Sequence, residues 1–167
     1  MTIASGPVTQ ICWVTGDIEA TERLLSDQFG VRAWTRIPDV EFGPETTTLR
    51  GAPVRFTAHI SLGYAGDLQL ELIQPVDGPT IHAEFLAERG PGLHHVCFEV
   101  DDVDTACAAA EAAGLPVLMR GSMMDGEIEF AYVDGSAGGA PYVELARVGP
   151  QMQAFYAAVK EQSTRPS

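Results

Sequence analysis

No apolar run in this chain approaches the ~18 residues that a membrane-crossing helix requires, which excludes a helical span. Lysine is almost missing. Lys160 stands with nine arginines against 23 acidic residues, for a net charge of −13 over 167 residues. A surface of that sign repels phosphate backbones, so nucleic acid is excluded as a partner. Only three cysteines occur, Cys12, Cys97 and Cys107, with no CxxC spacing. An odd, scattered set excludes a disulfide scaffold and a thiolate zinc site, and fits free thiols in a reducing compartment. The opening residues MTIASGPVTQ hold neither a basic start nor an apolar h-region, so no signal peptide is expected and the cytoplasm is the expected location. With 46% hydrophobic and 20% charged residues the chain has a globular composition rather than a disordered one.

What the chain does have is an internal repeat. The segment QICWVTGDIEATERLLSDQFGV from Gln10 aligns with HVCFEVDDVDTACAAAEAAGLPV from His95, an offset of 85 residues. Cys12 matches Cys97, Trp13 matches Phe98, Asp17 matches Asp102 and Ile18 matches Val103. Later in each half LELIQP, from Leu70, resembles VELARV, from Val143, so Glu71 matches Glu144.

Each half reads as βαβββ. Asp17 and Asp102 stand at helix N-caps, with Glu19 and Asp104 in the first turns. Gly30 and Gly114 stand where a glycine would stop each helix. In the first half, further strands are expected at 31–36, 54–62 and 68–74, the last two joined by the Ala65-Gly66-Asp67 turn. In the second half they are expected at 116–120, 127–133 and 141–147, with the GSAGGA loop at 135–140 as a hairpin connection. The stretch 80–89 reads as a linker helix. Residues 150–162 read as a C-terminal helix with an apolar face of Met152, Phe155, Tyr156 and Val159, and 163–167 as a loose tail. The expected organisation is a first module at 7–75, a linker helix at 76–92, a second module at 93–148, and a C-terminal helix and tail at 149–167.

Side chains alternate across a strand, so Gln10 shares a face with Cys12, and His95 with Cys97. The repeat makes these two strands equivalent and makes the Glu71 and Glu144 strands equivalent. A pseudo-twofold arrangement would bring Gln10, Glu71, His95 and Glu144 together. Three oxygens and one imidazole nitrogen suit a divalent ion: zinc, manganese, cobalt, nickel or magnesium. Two inward carboxylates without an ion would be an expensive burial. His94 is expected to point away and to pack or bond at the surface. His82 is expected to be a solvated linker residue, Cys107 to pack its helix, and Trp13 and Phe98 to pack beneath the helices. His59 is the candidate second base. Arg32, Trp34 and Arg36 alternate along one expected strand, and Arg50 and Arg55 flank another, where they could meet an anionic substrate.

These paired motifs resemble the vicinal oxygen chelate superfamily, also called the glyoxalase/bleomycin resistance/dioxygenase fold, over roughly 7–148. The resemblance implies an α+β fold in which two tandem βαβββ modules form a cup-shaped, eight-stranded mixed sheet with a central metal site. In that family each module gives one ligand from its first strand, seven residues before the capping Asp, and one from its last. Gln10 before Asp17, His95 before Asp102, and the glutamates of LEL and VEL fit that pattern. The Gln, Glu, His, Glu set resembles that of human-type glyoxalase I. Other segments resemble methylmalonyl-CoA epimerase: Glu71-Leu-Ile-Gln-Pro75, then Ile81-His-Ala-Glu-Phe-Leu86, then Gly90-Pro-Gly-Leu-His94-His95. Those epimerases carry His where Gln10 stands, and a bacterial one carries a glutamate on the strand where this chain offers His59.

The resemblance implies a divalent-metal-dependent isomerase or epimerase that stabilises an enolate, acting on an acyl-CoA thioester in the manner of methylmalonyl-CoA epimerase. Glu144 or Glu71 would act as the base. The alternatives are a glyoxalase I-type lyase or isomerase, and a metal-free binding or resistance protein that sequesters a small aromatic or cationic compound. Extradiol dioxygenase chemistry wants two His and one carboxylate, and Gln10 removes one His. The expected partner is a small-molecule substrate, with no membrane, and the resemblance implies a homodimer.

Overall fold

The computed structural model describes residues 2–164. The chain runs β1 (Val8–Val14), α1 (Ile18–Phe29), β2 (Thr35–Phe42), β3 (Thr47–Leu49), β4 (Ala52–Pro53), β5 (Phe56–Ala65), β6 (Leu68–Asp77), α2 (Ile81–Arg89), β7 (Gly92–Glu99), α3 (Val103–Ala112), β8 (Val117–Met123), β9 (Ile128–Asp134), β10 (Tyr142–Val148) and α4 (Pro150–Thr164). None of these helices is long and apolar enough to cross a membrane.

The caps form where the sequence places them. Asp17 Oδ1 accepts the Ala20 N–H at 2.9 Å and opens α1, and Asp102 Oδ1 accepts the Thr105 N–H at 2.7 Å and opens α3. Each carboxylate satisfies a donor that the first helical turn leaves unpaired. Gly30 ends α1 at φ 74, a left-handed conformation that costs glycine least.

The two modules meet along β1 and β7, which pair antiparallel. Outward from that seam, β6 runs parallel to β1, and β10 parallel to β7. The full order is β2-β5-β6-β1-β7-β10-β9-β8-β3-β4. The short β3–β4 hairpin belongs to the first half by sequence, yet β3 pairs with β8 at the far edge, Thr47 opposite Gly121. Phe42 ends the strand at one edge and Thr47 begins pairing at the other. Five residues span at most ~18 Å, so the sheet must curl until its edges approach. Phe42 stacks on Phe56 with centroids 4.2 Å apart and meets Phe130 edge-on across the hollow at 6.0 Å.

The curl gives the sheet a convex and a concave face. On the convex side Ile18 and Leu25 of α1 pack on Leu70 and Leu72, with Trp13 against them. Ala106 and Ala110 of α3 pack on Val133 and Leu145. The concave side holds Cys12, Val14, Phe42, Phe56, Ile73, Met119, Phe130 and Tyr132, closed at one end by Ile81 and Phe85 of α2. The C-terminal helix α4 leaves β10 and crosses this side to the first module, where Ser163 Oγ donates to the Ala33 carbonyl at 3.2 Å.

Several expectations need correction. The sheet has ten strands rather than eight, because the β3–β4 hairpin extends it. The strand expected at 31–36 forms at Thr35–Phe42, so Arg32 and Trp34 lie outside it, and the short β3 and β4 form between it and β5. The GSAGGA connection is the hairpin expected, joining the antiparallel β9 and β10 through a short 3-10 turn at Ser136–Gly138. Of the tail expected to be loose, Ser163 and Thr164 belong to α4 and Ser163 is buried; residues 165–167 lie outside the described residues.

Candidate metal centre

Four adjacent strands carry the candidate ligands. Cys12 of β1 lies between Glu71 of β6 and His95 of β7; Cys97 of β7 lies between Glu144 of β10 and Gln10 of β1. Residues opposite one another in a ladder share a face. The two triplets are related by the internal repeat, so the pseudo-twofold axis passes between them. All six side chains face the hollow, and Tyr132 joins them opposite Glu144.

His95 is the hub. Its Nε2 lies 3.1 Å from Glu144 Oε2, 3.5 Å from Glu71 Oε2 and 3.4 Å from Gln10 Oε1. The imidazole is 0% exposed. Gln10 does not choose its orientation freely. Its Nε2 donates to Gln69 Oε1 at 2.6 Å, and Gln69 Nε2 donates to the Tyr64 hydroxyl at 2.9 Å. That chain turns Gln10 Oε1 inward.

The electrostatics follow from burial. Burial alone would lower the His95 pKa, but the Glu144 and Glu71 carboxylates outweigh it and raise it to about 9. Burial pushes Glu71 upward against the pull of His95. Burial, with the negative charge of Glu71 and Glu144 nearby, raises Cys12, Cys97 and Tyr132 well above their ordinary values. The thiols therefore stay protonated. Cys12 lies close to Glu71 and His95, and a bound divalent ion would itself lower that thiol's pKa.

These residues fit a divalent ion. Neighbouring ligand atoms stand roughly 3.0–3.4 Å apart when each bond is ~2.1 Å, and the distances to His95 Nε2 match that spacing. Without an ion, two buried carboxylates face one imidazolium and one negative charge is uncompensated. A divalent ion beside a neutral His95 balances both carboxylates. Gln10, Glu71, His95 and Glu144 are the residues that would hold it.

Two further histidines, His94 and His82, adjoin this centre. The register slips between Cys12, opposite His95, and Trp13, opposite Leu93. His94 is the extra residue of this β-bulge, so strand alternation fails and both imidazoles turn into the interior. His94 is 0% exposed, and its Nδ1 lies 3.0 Å from His95 Nδ1. His82 of α2 is also buried, not solvated, and stacks on His94 with centroids 4.5 Å apart and planes 26° apart. Burial lowers the pKa of His82 to about 3 and pushes His94 lower still, so both are neutral at physiological pH. Nitrogens of His82, His94 and His95 approach closely, but stacked rings cannot both point in-plane lone pairs at one ion. His94 instead supports His95: a neutral His94 Nδ1 accepts the His95 Nδ1–H and leaves Nε2 free to ligate.

Beyond the ligands the hollow opens into a cavity of about 490 Å³. Phe42, Phe56, Met123 and Phe130 line its sides, and Met152, Phe155 and Tyr156 of α4 cover it. His59 is not among the lining residues. It alternates away from the lining Ala58 and Ile60, and its Nδ1 accepts the Asp39 N–H at 3.1 Å. Nor do the arginines reach the cavity. Arg36 bonds Glu22 and Glu19, and Arg50 bonds Glu84. Of the residues near the centre, Gln69 was detectable in principle, two positions before Glu71 on the same face. His94 was not, because nothing local marks the bulge.

A family model described as the glyoxalase/bleomycin resistance protein/dioxygenase superfamily matches residues 9–132. No curated protein matches the chain. Among solved structures, methylmalonyl-CoA epimerase from Mycobacterium tuberculosis is similar at 18% identity and a TM-score of 0.59, covering 92% of this chain and 94% of that one. A Streptomyces coelicolor methylmalonyl-CoA epimerase variant has 19% identity and a TM-score of 0.54, covering 86% and 95%. A variant of 4-hydroxymandelate synthase from Streptomyces coelicolor has 19% identity and a TM-score of 0.58, covering 87% of this chain and 39% of that one. At these identities the likeness is one of fold.

Proposed function

Because the chain belongs to the glyoxalase/bleomycin resistance/dioxygenase superfamily, we propose that it is a divalent-metal-dependent isomerase or epimerase that stabilises an enolate. One observation carries this reading: Gln10, Glu71 and Glu144 converge on His95 Nε2 within 3.1–3.5 Å inside a covered cavity. When bound, a divalent ion supplies the positive charge that stabilises the oxyanion of an enolate.

The chain's own residues do the rest. His95 and the Gln69-oriented Gln10 amide fix the geometry of the centre. A carboxylate, Glu71 or Glu144, takes the proton from the carbon beside the substrate carbonyl. The α4 side chains Met152, Phe155 and Tyr156 keep water from the carbanion while it lasts. His59 faces away from the cavity, so the reading uses the two carboxylates: for an epimerisation one removes the proton and the other delivers one to the opposite face, and for an isomerisation one returns it at a different atom. All four ligands come from one chain, and the centre is complete in a monomer. The thioester expectation comes from the resemblance to methylmalonyl-CoA epimerase.

The test is metal analysis of protein purified without chelator, beside Glu144→Ala, followed by NMR of substrate α-hydrogen exchange in D₂O. Near-stoichiometric metal, lost in the variant, with exchange that depends on it, is the expected result. No metal in a folded protein would sink the mechanism and favour a small-molecule binding protein.

A further inference from the structure

The proposed reaction asks two things of the same side chains. Glu71 and Glu144 are to hold the ion, and they are also to exchange protons with the substrate. A carboxylate that turns to a carbon acid gives up the lone pairs that ligation uses, and Gln10 and His95 by themselves set no negative charge against the ion. The centre therefore has use for a further anionic ligand that takes no part in the proton transfer.

Cys12 stands where such a ligand is needed. It is fully buried at the middle of the first triplet, opposite Glu71 on one side and His95 on the other. Its Sγ, a carboxylate oxygen of Glu71 and a ring nitrogen of His95 all lie within 4.8 Å of one another. Atoms bound to one ion at about 2.1–2.3 Å stand roughly 3.1 Å apart at a right angle and roughly 4.4 Å apart across it, so these three can share an ion with small side-chain adjustments. Glu71, the neighbour of the thiol, is also the carboxylate further from His95 Nε2, at 3.5 Å against 3.1 Å for Glu144. The equivalent cysteine of the second half is placed differently: Cys97 stands between Glu144 and Gln10, with an amide where Cys12 has an imidazole. The lack of a CxxC pair excludes a centre built of thiolates, not one thiolate among oxygen and nitrogen ligands. The Cys12 S–H donates to the Trp13 carbonyl at 3.5 Å, a weak bond whose loss on ligation costs little.

We propose that Cys12 is a fifth protein ligand of this centre, bound as a thiolate, and that it keeps the ion in place when Glu71 turns to the substrate. The inference rests on the metal-dependent reading above. On binding, the Sγ proton leaves to solvent and a sulfur lone pair goes to the ion, with no change of oxidation state. One thiolate in the set favours zinc or cobalt over manganese or magnesium, which oxygen ligands suit.

The probe is cobalt(II), titrated into the full chain after treatment with a chelator. The visible d–d bands of cobalt report how much is bound, and a thiolate ligand adds a charge-transfer band in the near ultraviolet. The expected result is that band in the unmutated protein, rising in step with the d–d bands. Cys12→Ser and Cys12→Ala should lose it and keep the d–d bands, and Cys97→Ser should keep both. Cys12→Ser should also weaken cobalt binding by about ten-fold or more and manganese binding by less than about three-fold. Cobalt bound without the charge-transfer band in the unmutated protein would overturn this inference and leave the metal centre standing. A band that survives Cys12→Ser and disappears in Cys97→Ser would overturn it as well. A folded protein that binds no cobalt would overturn the metal centre and this inference together.

Discussion

Gln10 and Gln69 face each other across the parallel pair β1–β6, and the Gln10 Nε2 donates to Gln69 Oε1 at 2.6 Å. Because Gln69 Nε2 is turned to the Tyr64 hydroxyl, to which it donates, its oxygen is the end turned to Gln10. The arrangement therefore fixes which end of the Gln10 amide faces His95. Gln69→Leu should free that amide and weaken divalent-metal affinity by roughly 10–100-fold, the usual effect of losing a group that orients a ligand. Competition against a chromogenic chelator measures this. An unchanged affinity, with the fold intact by circular dichroism, would show that Gln10 does not depend on Gln69.

Metal removal should destabilise the fold. Glu71 and Glu144 both lie against His95 and are nearly buried, so withdrawing an ion leaves like charges facing each other. Adding an ion back at about 100 times its Kd should raise stability by about 2.7 kcal/mol, seen as a higher Tm. Glu144→Gln should reduce both the metal-dependent increase and the cost of chelation, because one of the repelling charges is gone.

Glu22 anchors α1 to the sheet from a buried position. It accepts from Ser61 Oγ at 2.6 Å and from Arg36 Nε at 2.9 Å. Arg36 is about half exposed and Glu22 is not. Losing the arginine strands a buried carboxylate, while losing the carboxylate leaves an arginine that solvent can take. Arg36→Ala is therefore expected to cost about 2 kcal/mol, discounted for the exposed side of the pair. Glu22→Gln, which keeps a partner for Ser61, should cost less. Urea unfolding of the two variants gives the order, and the reverse order would contradict this account.

His82 should make stability fall in acid. Its folded pKa is lowered by burial to about 3 from an ordinary value near 6.5. The unfolded chain takes up the proton first, so stability is complete above about pH 6.5 and declines toward pH 3. The slope from this one group is at most about 1.4 kcal/mol per pH unit. Thermal melts across that range should decline less steeply for His82→Phe, which preserves a flat ring against His94. Parallel curves for both proteins would mean that His82 does not carry the effect.

Gly121 stands opposite Phe130 in the β8–β9 ladder, and a Cβ there would overlap the Phe130 ring. Gly121→Ala should push that ring into the cavity. The expected result is a loss of about 1–3 kcal/mol from overpacking, with weaker binding of any ligand that fills the space. Calorimetric titration and unfolding of the same variant test the two parts separately.

The sequence by itself determined the repeated halves and the side chains that converge on His95. An offset of 85 residues aligned two strands, two capping aspartates and their helices, because a repeat carries its local chemistry with it. Alternation placed Gln10 with Cys12 and His95 with Cys97, since the period of a strand is independent of its neighbours. The tertiary structure decided what depends on distant pairing. The β3–β4 hairpin joined the opposite edge through β8, a contact that local propensity cannot specify. The bulge at His94 appeared only in the register of β7 against β1, and it brought inside an imidazole that alternation assigned to the surface. His82 was buried because α2 closes one end of the hollow. The absence of arginine from the described cavity lining was likewise a tertiary outcome, since Arg36 and Arg50 found acidic partners outside it. Local pattern states which side chains share a face. Only the packed sheet states which faces meet and what charge the space between them holds.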